Sequence, residues 1–195
     1  MSSSRDRLFD ILYKKSFIYR EDPPFTLVSG RQSFYYFDCK GATLDAEGVA
    51  LTGEVMLDAL APFIGPDGIG GIGGLTLGAD PISISTAIAA YRRGIALCPL
   101  IVRKEPKKHG TQKWIEGDAG RLKKVVVIDD VITTGGSTIT AIERLRESGL
   151  EVVRAAVVID REEGGRENIE KTGIKVVSLF RRSDFDARRL TASPQ

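Results

Sequence analysis

Two adjacent acids followed by hydroxyls and glycines form the segment of this chain best suited to chemistry. Asp129 and Asp130 end the run 125–128, whose four residues are all β-branched, as in a strand buried on both faces. The turn 133–137 reads Thr-Thr-Gly-Gly-Ser, and a helical pattern begins at Thr138. Glycines let backbone N–H groups wrap an anion, and the next helix directs its positive end at the same place. Since carboxylates accept hydrogen bonds from hydroxyls, the segment predicts a site for a phosphorylated sugar at the carboxyl end of a parallel strand.

Two other interpretations fit this segment less well. A nucleotide hydrolase uses such a strand to hold a metal, but the phosphate loop GxxxxGK[ST] is absent, since the chain contains no Gly-Lys dipeptide. A buried strand followed by an ordinary capped helix would not need the hydroxyl-glycine turn. The run 68–73 matches GxGxxG, yet the turn Gly-Pro-Asp precedes it where a dinucleotide fingerprint needs a strand.

A cluster of cations follows the predicted strand 95–102. Residues 103–110 read Arg-Lys-Glu-Pro-Lys-Lys-His-Gly and include the single histidine of the chain, His109. A charge run is often only a solvated face. Here it would lie at the same sheet edge as the anion-binding turn, where arginine and lysine can neutralise a diphosphate leaving group.

Length, charge and cysteine content limit the classes of protein to which the chain can belong. The chain has 195 residues, a net charge of +2 and two cysteines, Cys39 and Cys98. This length suits one domain, and the small charge gives no general affinity for nucleic acid. Two cysteines do not make a disulfide framework, and one histidine with two scattered cysteines gives no metal cluster. With neither a signal peptide nor a membrane-spanning run apparent, a cytoplasmic protein is expected.

Apolar spacing predicts strands and helices in alternation, which favours an α/β fold with a parallel sheet. Ligands of such sheets bind beyond the carboxyl ends of the strands. The predicted helices are 5–15, 46–60, 81–92 and 137–148. The predicted strands are 69–72, 95–102, 125–128, 152–159 and 176–179. A hairpin is predicted over 25–37, and a long loop over 103–120.

With these motifs in place, the chain resembles the type I phosphoribosyltransferases, and within them the members that use orotate. The acid-pair turn resembles the superfamily's phosphoribosyl diphosphate motif. The order Arg103-Lys104, Lys107, His109-Gly110 resembles the catalytic loop of the orotate-using members. Residues 25–38, 73–81 and 160–162 match as well, so the resemblance covers about 25–165.

The resemblance implies the type I phosphoribosyltransferase fold, a mainly parallel sheet flanked by helices, as one domain over 1–195. Residues 1–45 would form part of a small amino-terminal hood over the base. The implied reaction joins orotate to the phosphoribosyl group of 5-phospho-α-D-ribose 1-diphosphate. Mg²⁺ would be carried by the diphosphate rather than by protein ligands. A cytoplasmic homodimer that shares its loop residues across subunits would be the active form.

The resemblance also assigns residues to roles. The implied catalytic residues, which would stabilise the leaving diphosphate, are Arg103, Lys104, Lys107 and His109. These four would bind phosphoribosyl diphosphate together with Asp129, Asp130, Val131, Ile132, Thr133, Thr134, Gly135, Gly136 and Ser137. The implied orotate-binding residues are Tyr36, Phe37, Thr133 and Arg161, with the Arg161 guanidinium meeting the orotate carboxylate.

Two positions depart from the pattern of some members, which have lysines where this chain has Val28 and Gly78. Lys40 is a candidate to replace the lost positive charge. Two alternatives stay open: a phosphoribosyltransferase for another base, and a non-catalytic regulator that senses phosphoribosyl diphosphate. Arg161 favours orotate, because a neutral base has no carboxylate to pair with it.

Overall fold

The computed structural model of the chain describes residues 2–26, 32–106 and 114–191. Its amino-terminal part contains short strands and two helices: α1 (Ser4–Lys15), β1 (Phe17–Tyr19), β2 (Phe25–Thr26), β3 (Gln32–Ser33), β4 (Tyr35–Phe37) and α2 (Lys40–Thr43). The remainder alternates helices and strands: α3 (Ala46–Ile64), β5 (Gly71–Leu75), α4 (Asp80–Arg92), β6 (Cys98–Val102), β7 (Ile115–Glu116), β8 (Lys124–Ile132), α5 (Gly136–Glu147), β9 (Glu151–Asp160), α6 (Gly165–Glu170), β10 (Lys175–Arg181) and α7 (Arg182–Thr191).

A six-stranded sheet forms the centre, in the order β10-β9-β8-β5-β6-β7. The pairings are parallel except that of the edge strand β7, which runs antiparallel to β6. This confirms the predicted α/β class with a mainly parallel sheet. The described residues contain no helix with the length and apolar character to cross a membrane.

Both faces of the sheet are buried, as the run of β-branched residues predicts. Val126 and Ile128 join one apolar cluster, which includes residues of α1, α3 and α4. Val125 and Val127 join the other, which includes residues of α5 and α6. This alternation follows from the two-residue period of a strand.

Several boundaries predicted from the sequence are wrong. The apolar run ends at residue 128, but strand β8 continues through the acid pair to Ile132. The segment 103–120 is predicted to be loop, yet it contains β7 and the 3₁₀ turn Ala119–Arg121. Ile115 is buried and pairs with Val102, which ties this short edge strand to β6.

The predicted amino-terminal hairpin is only partly correct. Strand β2 pairs with β3 as predicted, but β4 pairs with β1 rather than continuing that hairpin. The register Phe17–Phe37 brings both rings within 5.2 Å of each other, beside the ring of Phe185 from α7. Helix α7 and the short helices α2 and α6 are not predicted by the apolar spacing.

Candidate functional site

The carboxyl edge of the sheet collects the segments that the sequence singled out. The N–H of Thr76, after β5, donates to the carbonyl of Val102 at the end of β6 over 2.8 Å. The N–H of Arg161, after β9, donates to the carbonyl of Ile132 at the end of β8 over 3.0 Å. Four strand ends therefore meet at one edge, as expected for a parallel sheet.

The first acid of the pair is enclosed by protein. Asp129 is 5% exposed, and its Oδ2 accepts a 2.7 Å hydrogen bond from the Thr138 hydroxyl. Its Oδ1 accepts from the N–H of Asp130 over 3.0 Å. Burial, and secondarily the negative charge of Asp130, raise the pKa of Asp129 to about 7. The carboxyl group is thus easily protonated when no ligand supplies further hydrogen bonds or positive charge.

The second acid is more accessible and faces the loop between β5 and α4. Asp130 Oδ1 accepts from the N–H of Val131 over 2.9 Å. A Cβ built on Gly78 would lie 2.7 Å from Asp130 Oδ1, closer than real Cβ contacts. The backbone at Gly78 therefore lies next to this carboxylate, and a side chain at position 78 would require the Asp130 side chain to move.

Lys40 lies in the electrostatic reach of the acid pair. Its ammonium forms a 2.6 Å ion pair with Asp38, and its pKa is raised first by that contact and also by the charge of Asp130. The thiol of the adjacent Cys39 lies 3.9 Å from the carbonyl of Asp130. Lys40 therefore lies near the acid pair, with its ammonium already paired with Asp38, and its replacement of the lost lysines stays a prediction.

The predicted anion-binding turn leads directly into α5, and it needs glycine at one position. Gly135, the residue before the helix, has φ +82°, and a Cβ there would lie 2.8 Å from the carbonyl oxygen of Gly165. The first N–H groups of a helix have no partners within it, so they and the helix dipole can receive an anion. Thr134, Gly136 and Ser137 are exposed at this helix start.

Helix α6, which was not predicted from the sequence, packs against this turn. The Asn168 amide donates to the carbonyl of Thr134 over 3.1 Å, and Ile169 packs at the Gly135 position. A Cβ on Gly165 would lie 2.6 Å from the carbonyl oxygen of Thr133, so glycine is required on both sides of the contact. The pair Gly164-Gly165 was the available sequence signal.

Arg161 is a buried cation beside the anion-binding turn. It is 5% exposed, and its Nη2 donates to Ser33 Oγ over 3.1 Å and to the carbonyl of Tyr35 over 3.4 Å. The same nitrogen forms a 2.8 Å ion pair with Glu163. Its Nε is buried, and no described residue accepts a hydrogen bond from it. A buried donor without an acceptor is costly, which marks this nitrogen as a place for an acceptor from a ligand.

An ion pair missed by sequence analysis fixes the chain around Arg161. Asp160 is buried and accepts hydrogen bonds from the N–H of Glu162 and from Arg166 Nε, each over 2.9 Å. Arg166 also donates to the carbonyl of Val176 over 2.7 Å and to Ser178 Oγ over 2.8 Å. It thereby connects the start of α6 and the end of β9 to β10. The spacing of Asp160 and Arg166 alone could not reveal contacts to β10.

The two described loop cations lie farther along the edge. Arg103 pairs with Glu116 over 3.1 Å and donates to the carbonyl of Glu105 over 3.2 Å, so its guanidinium is turned toward β7. Lys104 is exposed. Both line a cavity of about 430 Å³ beside Thr76 and Asp80. Lys107 and His109 lie outside the described residues, as does Val28.

The remaining predicted residues divide between core and surface. Phe37 is buried in the aromatic cluster, with its ring centroid 6.0 Å from Cζ of Arg161. Tyr36 is 40% exposed and stacks on Phe25 at 5.5 Å. Ile132 is buried in the core, and its carbonyl accepts the hydrogen bond from the N–H of Arg161. Val131 is half-buried and Thr133 likewise, at the end of β8.

These groups suit an anionic ligand with hydroxyls. A helix start and a glycine turn can bind a phosphate, an accessible carboxylate can accept from hydroxyls, and a buried guanidinium can pair with a carboxylate. Within the described ranges, no three or more His, Cys, Asp or Glu side chains come together as a metal site.

The family profile and the curated relatives that match this chain all describe phosphoribosyltransferases. A profile described as "Phosphoribosyl transferase domain" matches residues 101–183. The chain is 42% identical over 184 residues to an orotate phosphoribosyltransferase of Leptospira biflexa, covering 94% of this chain and 98% of the relative. It is 45% identical over 181 residues to that of Aquifex aeolicus, covering 93% and 97%.

Solved structures agree. An orotate phosphoribosyltransferase of Mycobacterium tuberculosis in complex with 5-phospho-alpha-D-ribosyl 1-diphosphate is similar with a TM-score of 0.76 and 32% identity, covering 94% of this chain and 99% of that one. The structure of that protein in complex with Fe(III) dicitrate gives a TM-score of 0.78 at 34% identity, covering 94% and 99%.

Proposed function

This chain belongs to the orotate phosphoribosyltransferases of the type I family, and on that premise we propose how its site works. The reaction is the transfer of the phosphoribosyl group of 5-phospho-α-D-ribose 1-diphosphate to orotate. Its products are orotidine 5′-monophosphate and diphosphate, in de novo UMP biosynthesis. One observation favours orotate over a neutral base: the buried Arg161 guanidinium lies one strand from the anion-binding turn, and its Nε has no acceptor among the described residues.

The phosphoribosyl part is assigned to the end of β8 and the start of α5. We assign the 5′-phosphate to the backbone and hydroxyls of 133–137, because a glycine turn and a helix start favour an anion. The ribose hydroxyls are assigned to the acid pair together with the backbone of Val131 and Ile132. Asp130 is the accessible member, whereas Asp129 must exchange its bond to Thr138 to reach a ligand directly.

Departure of diphosphate requires positive charge. As the bond to the ribose breaks, charge accumulates on the leaving oxygens and the ribose gains oxocarbenium character, so fixed cations lower the barrier. We assign this role to Arg103, Lys104, Lys107 and His109. Arg103 would first have to leave Glu116, with which it is paired in the described arrangement.

The base is assigned to the space between the amino-terminal strands and β9. Arg161 would pair with the orotate carboxylate, since a planar guanidinium fork matches a carboxylate. Thr133 and the Tyr36-Phe37 backbone would hold the rest of the ring. The close contact of Arg161 with Ser33 and Tyr35 supports the idea that residues 1–45 form a hood over the base.

Mg²⁺ fits this donor set as an ion that enters the site bound to the diphosphate of the substrate. Carboxylate, hydroxyl and diphosphate oxygens are its preferred ligands, and it usually keeps several waters. When bound, it would neutralise part of the diphosphate charge, with the acid pair available through water. We further propose a cytoplasmic homodimer in which residues of the 103–110 loop serve the neighbouring subunit.

A direct assay tests the proposed function. Orotate absorbance is followed with phosphoribosyl diphosphate and Mg²⁺, beside reactions with uracil, hypoxanthine and adenine. Loss of orotate with release of diphosphate is expected, and little turnover of the other three bases. Turnover of a neutral base at a rate equal to or above that of orotate would contradict the assignment of Arg161.

A further inference from the structure

Arg161 has a carboxylate partner within the protein itself. Glu163 Oε1 lies 2.8 Å from Arg161 Nη2, and both side chains are shielded from solvent, with 6% and 20% exposure. A guanidinium this deeply buried needs a counter-charge, because an uncompensated buried charge is strongly destabilising. Glu163 supplies that charge from within the chain.

The hydrogen bonds of this guanidinium are unevenly distributed. Nη2 carries two N–H groups but faces three acceptors, namely Ser33 Oγ, the Tyr35 carbonyl and Glu163. Nε, in contrast, has no acceptor among the described residues. If Glu163 left, Nη2 would keep two acceptors, so the protein tolerates the exchange of this one contact.

The backbone that carries Glu163 is held by its neighbours. The N–H of Glu162 donates to Asp160 over 2.9 Å, and the Glu162 carboxylate accepts from the N–H and hydroxyl of Ser183 over 2.9 and 3.1 Å. These bonds do not involve the Glu163 side chain. The backbone around Arg161 therefore does not depend on these bonds being made by the Glu163 side chain, and it would stay in place if that carboxylate exchanged its contact with Arg161 for another.

We propose that Glu163 is a specificity-determining residue whose carboxylate occupies Arg161 until the carboxylate of the base displaces it. This rests on the proposed pairing of Arg161 with orotate. A base with its own carboxylate replaces one ion pair by another. A neutral base cannot replace Glu163 without leaving the guanidinium unpaired, so Arg161 contributes nothing to its binding. Selectivity for a base with a carboxylate arises because a neutral base that displaced Glu163 would leave the buried guanidinium without a counter-charge.

The test is the variant Glu163→Gln, which keeps the shape and a hydrogen-bond acceptor but removes the competing charge. We expect the KM for orotate to fall about three- to tenfold, while the KM for phosphoribosyl diphosphate stays within about twofold. Glu167→Gln, at an exposed carboxylate of α6, is the matched control and should leave both constants unchanged. A rise in the orotate KM would overturn the proposal, because it would show that Glu163 holds Arg161 in its working position. An unchanged KM would overturn it too.

A double-mutant cycle separates local exchange from a general charge effect. In an Arg161→Ala background, Glu163→Gln should no longer lower the orotate KM, because there is no guanidinium for which Glu163 and orotate could compete. If Glu163→Gln still lowered the orotate KM in the Arg161→Ala background, Glu163 would act by long-range repulsion, and the proposal would fail. Orotate turnover by the wild-type chain is the control for the proposed function itself. If it is absent, the function fails, whereas an active enzyme with an unresponsive Glu163 refutes this inference alone.

Discussion

The hydroxyl of Thr138, in the first turn of α5, donates a 2.7 Å hydrogen bond to Oδ2 of the buried Asp129 in β8. This bond connects the proposed ribose-binding strand to the helix whose start is proposed to bind the 5′-phosphate. The strand and the helix are thereby joined directly, and we expect the ionisation state of the Asp129 carboxyl to affect both halves of the proposed phosphoribosyl site.

Stability of the free protein should depend on the ionisation of Asp129. Its pKa is raised from 3.8 to about 7, so the folded chain binds more protons than the unfolded chain between these values. The contribution of Asp129 is fully present below the unfolded pKa and is lost as pH rises through the folded pKa. Every tenfold difference in proton affinity between the folded and unfolded chains corresponds to about 1.4 kcal/mol of unfolding free energy.

Asp129→Asn, which cannot ionise, should lose this dependence and should be more stable than the wild type at about pH 8. Urea denaturation at about pH 5 and about pH 8 measures the free energy of unfolding of both proteins. All other titrating groups are present in both, so the difference between the two proteins reports on Asp129. Parallel pH dependences would show that Asp129 is not the group responsible.

Much of the site could be predicted from sequence because strand ends in a parallel sheet meet at one edge. The acid pair, the glycine turn and Arg161 each follow an apolar run, so their proximity followed from fold class. The end of β8 could not be predicted, because the apolar pattern stops at Asp129 although the strand and its burial continue. The buried Asp129 carboxyl is hydrogen-bonded to Thr138, a residue of the following helix that the pattern of the strand does not contain.

The missed elements are those with few buried side chains or distant partners. Helix α6 has six residues, of which Gly165 and Ile169 are buried, and α7 buries only Phe185 among its described side chains. Neither shows the apolar periodicity of a longer helix. The pairing of β4 with β1 and the contacts of Arg166 join residues from separate segments, which local propensity does not encode.

A methyl group at Gly135 should damage the phosphate turn. Gly135→Ala forces φ +82° on a residue with a Cβ, 2.8 Å from the Gly165 carbonyl oxygen. Gly149 also has φ +82°, but a Cβ there meets nothing within 4 Å, so Gly149→Ala is a matched control for backbone strain alone. We expect about 1 kcal/mol of destabilisation for the control.

Gly135→Ala should cost more than the control, and it alone should raise the KM for phosphoribosyl diphosphate, by about tenfold or more. Thermal unfolding and steady-state kinetics of the two variants give both quantities. Equal KM values in the two variants would argue against a phosphate at this turn.

Replacing Arg161 should affect the two substrates unequally. Arg161→Ala should raise the KM for orotate by at least about tenfold and that for phosphoribosyl diphosphate much less, because only orotate loses a charge-assisted bond. Arg161→Lys keeps the charge but not the planar fork and should recover only part of the affinity. Equal increases in both constants would instead indicate a structural role.

Lys107 should act on turnover rather than on binding. The resemblance of its segment to the catalytic loop leads us to expect that Lys107→Ala lowers kcat by about a hundredfold with a small change in KM, as for a group that stabilises the departing charge. Lys175→Ala, at an exposed lysine at the opposite end of the sheet, is the control. Unchanged kcat in Lys107→Ala would remove this lysine from the mechanism.

Titration calorimetry of phosphoribosyl diphosphate with Mg²⁺ tests most directly whether the acid pair and its glycine turn bind the phosphorylated sugar. The wild-type chain should bind it, and Asp130→Asn should bind at least about tenfold more weakly, because the accessible carboxylate no longer accepts the ribose hydroxyls as an anion. Asp118→Asn, at a solvent-exposed carboxylate paired with Arg121, should bind like the wild type. No measurable binding by the wild type, or equal affinity in Asp130→Asn, would contradict the account.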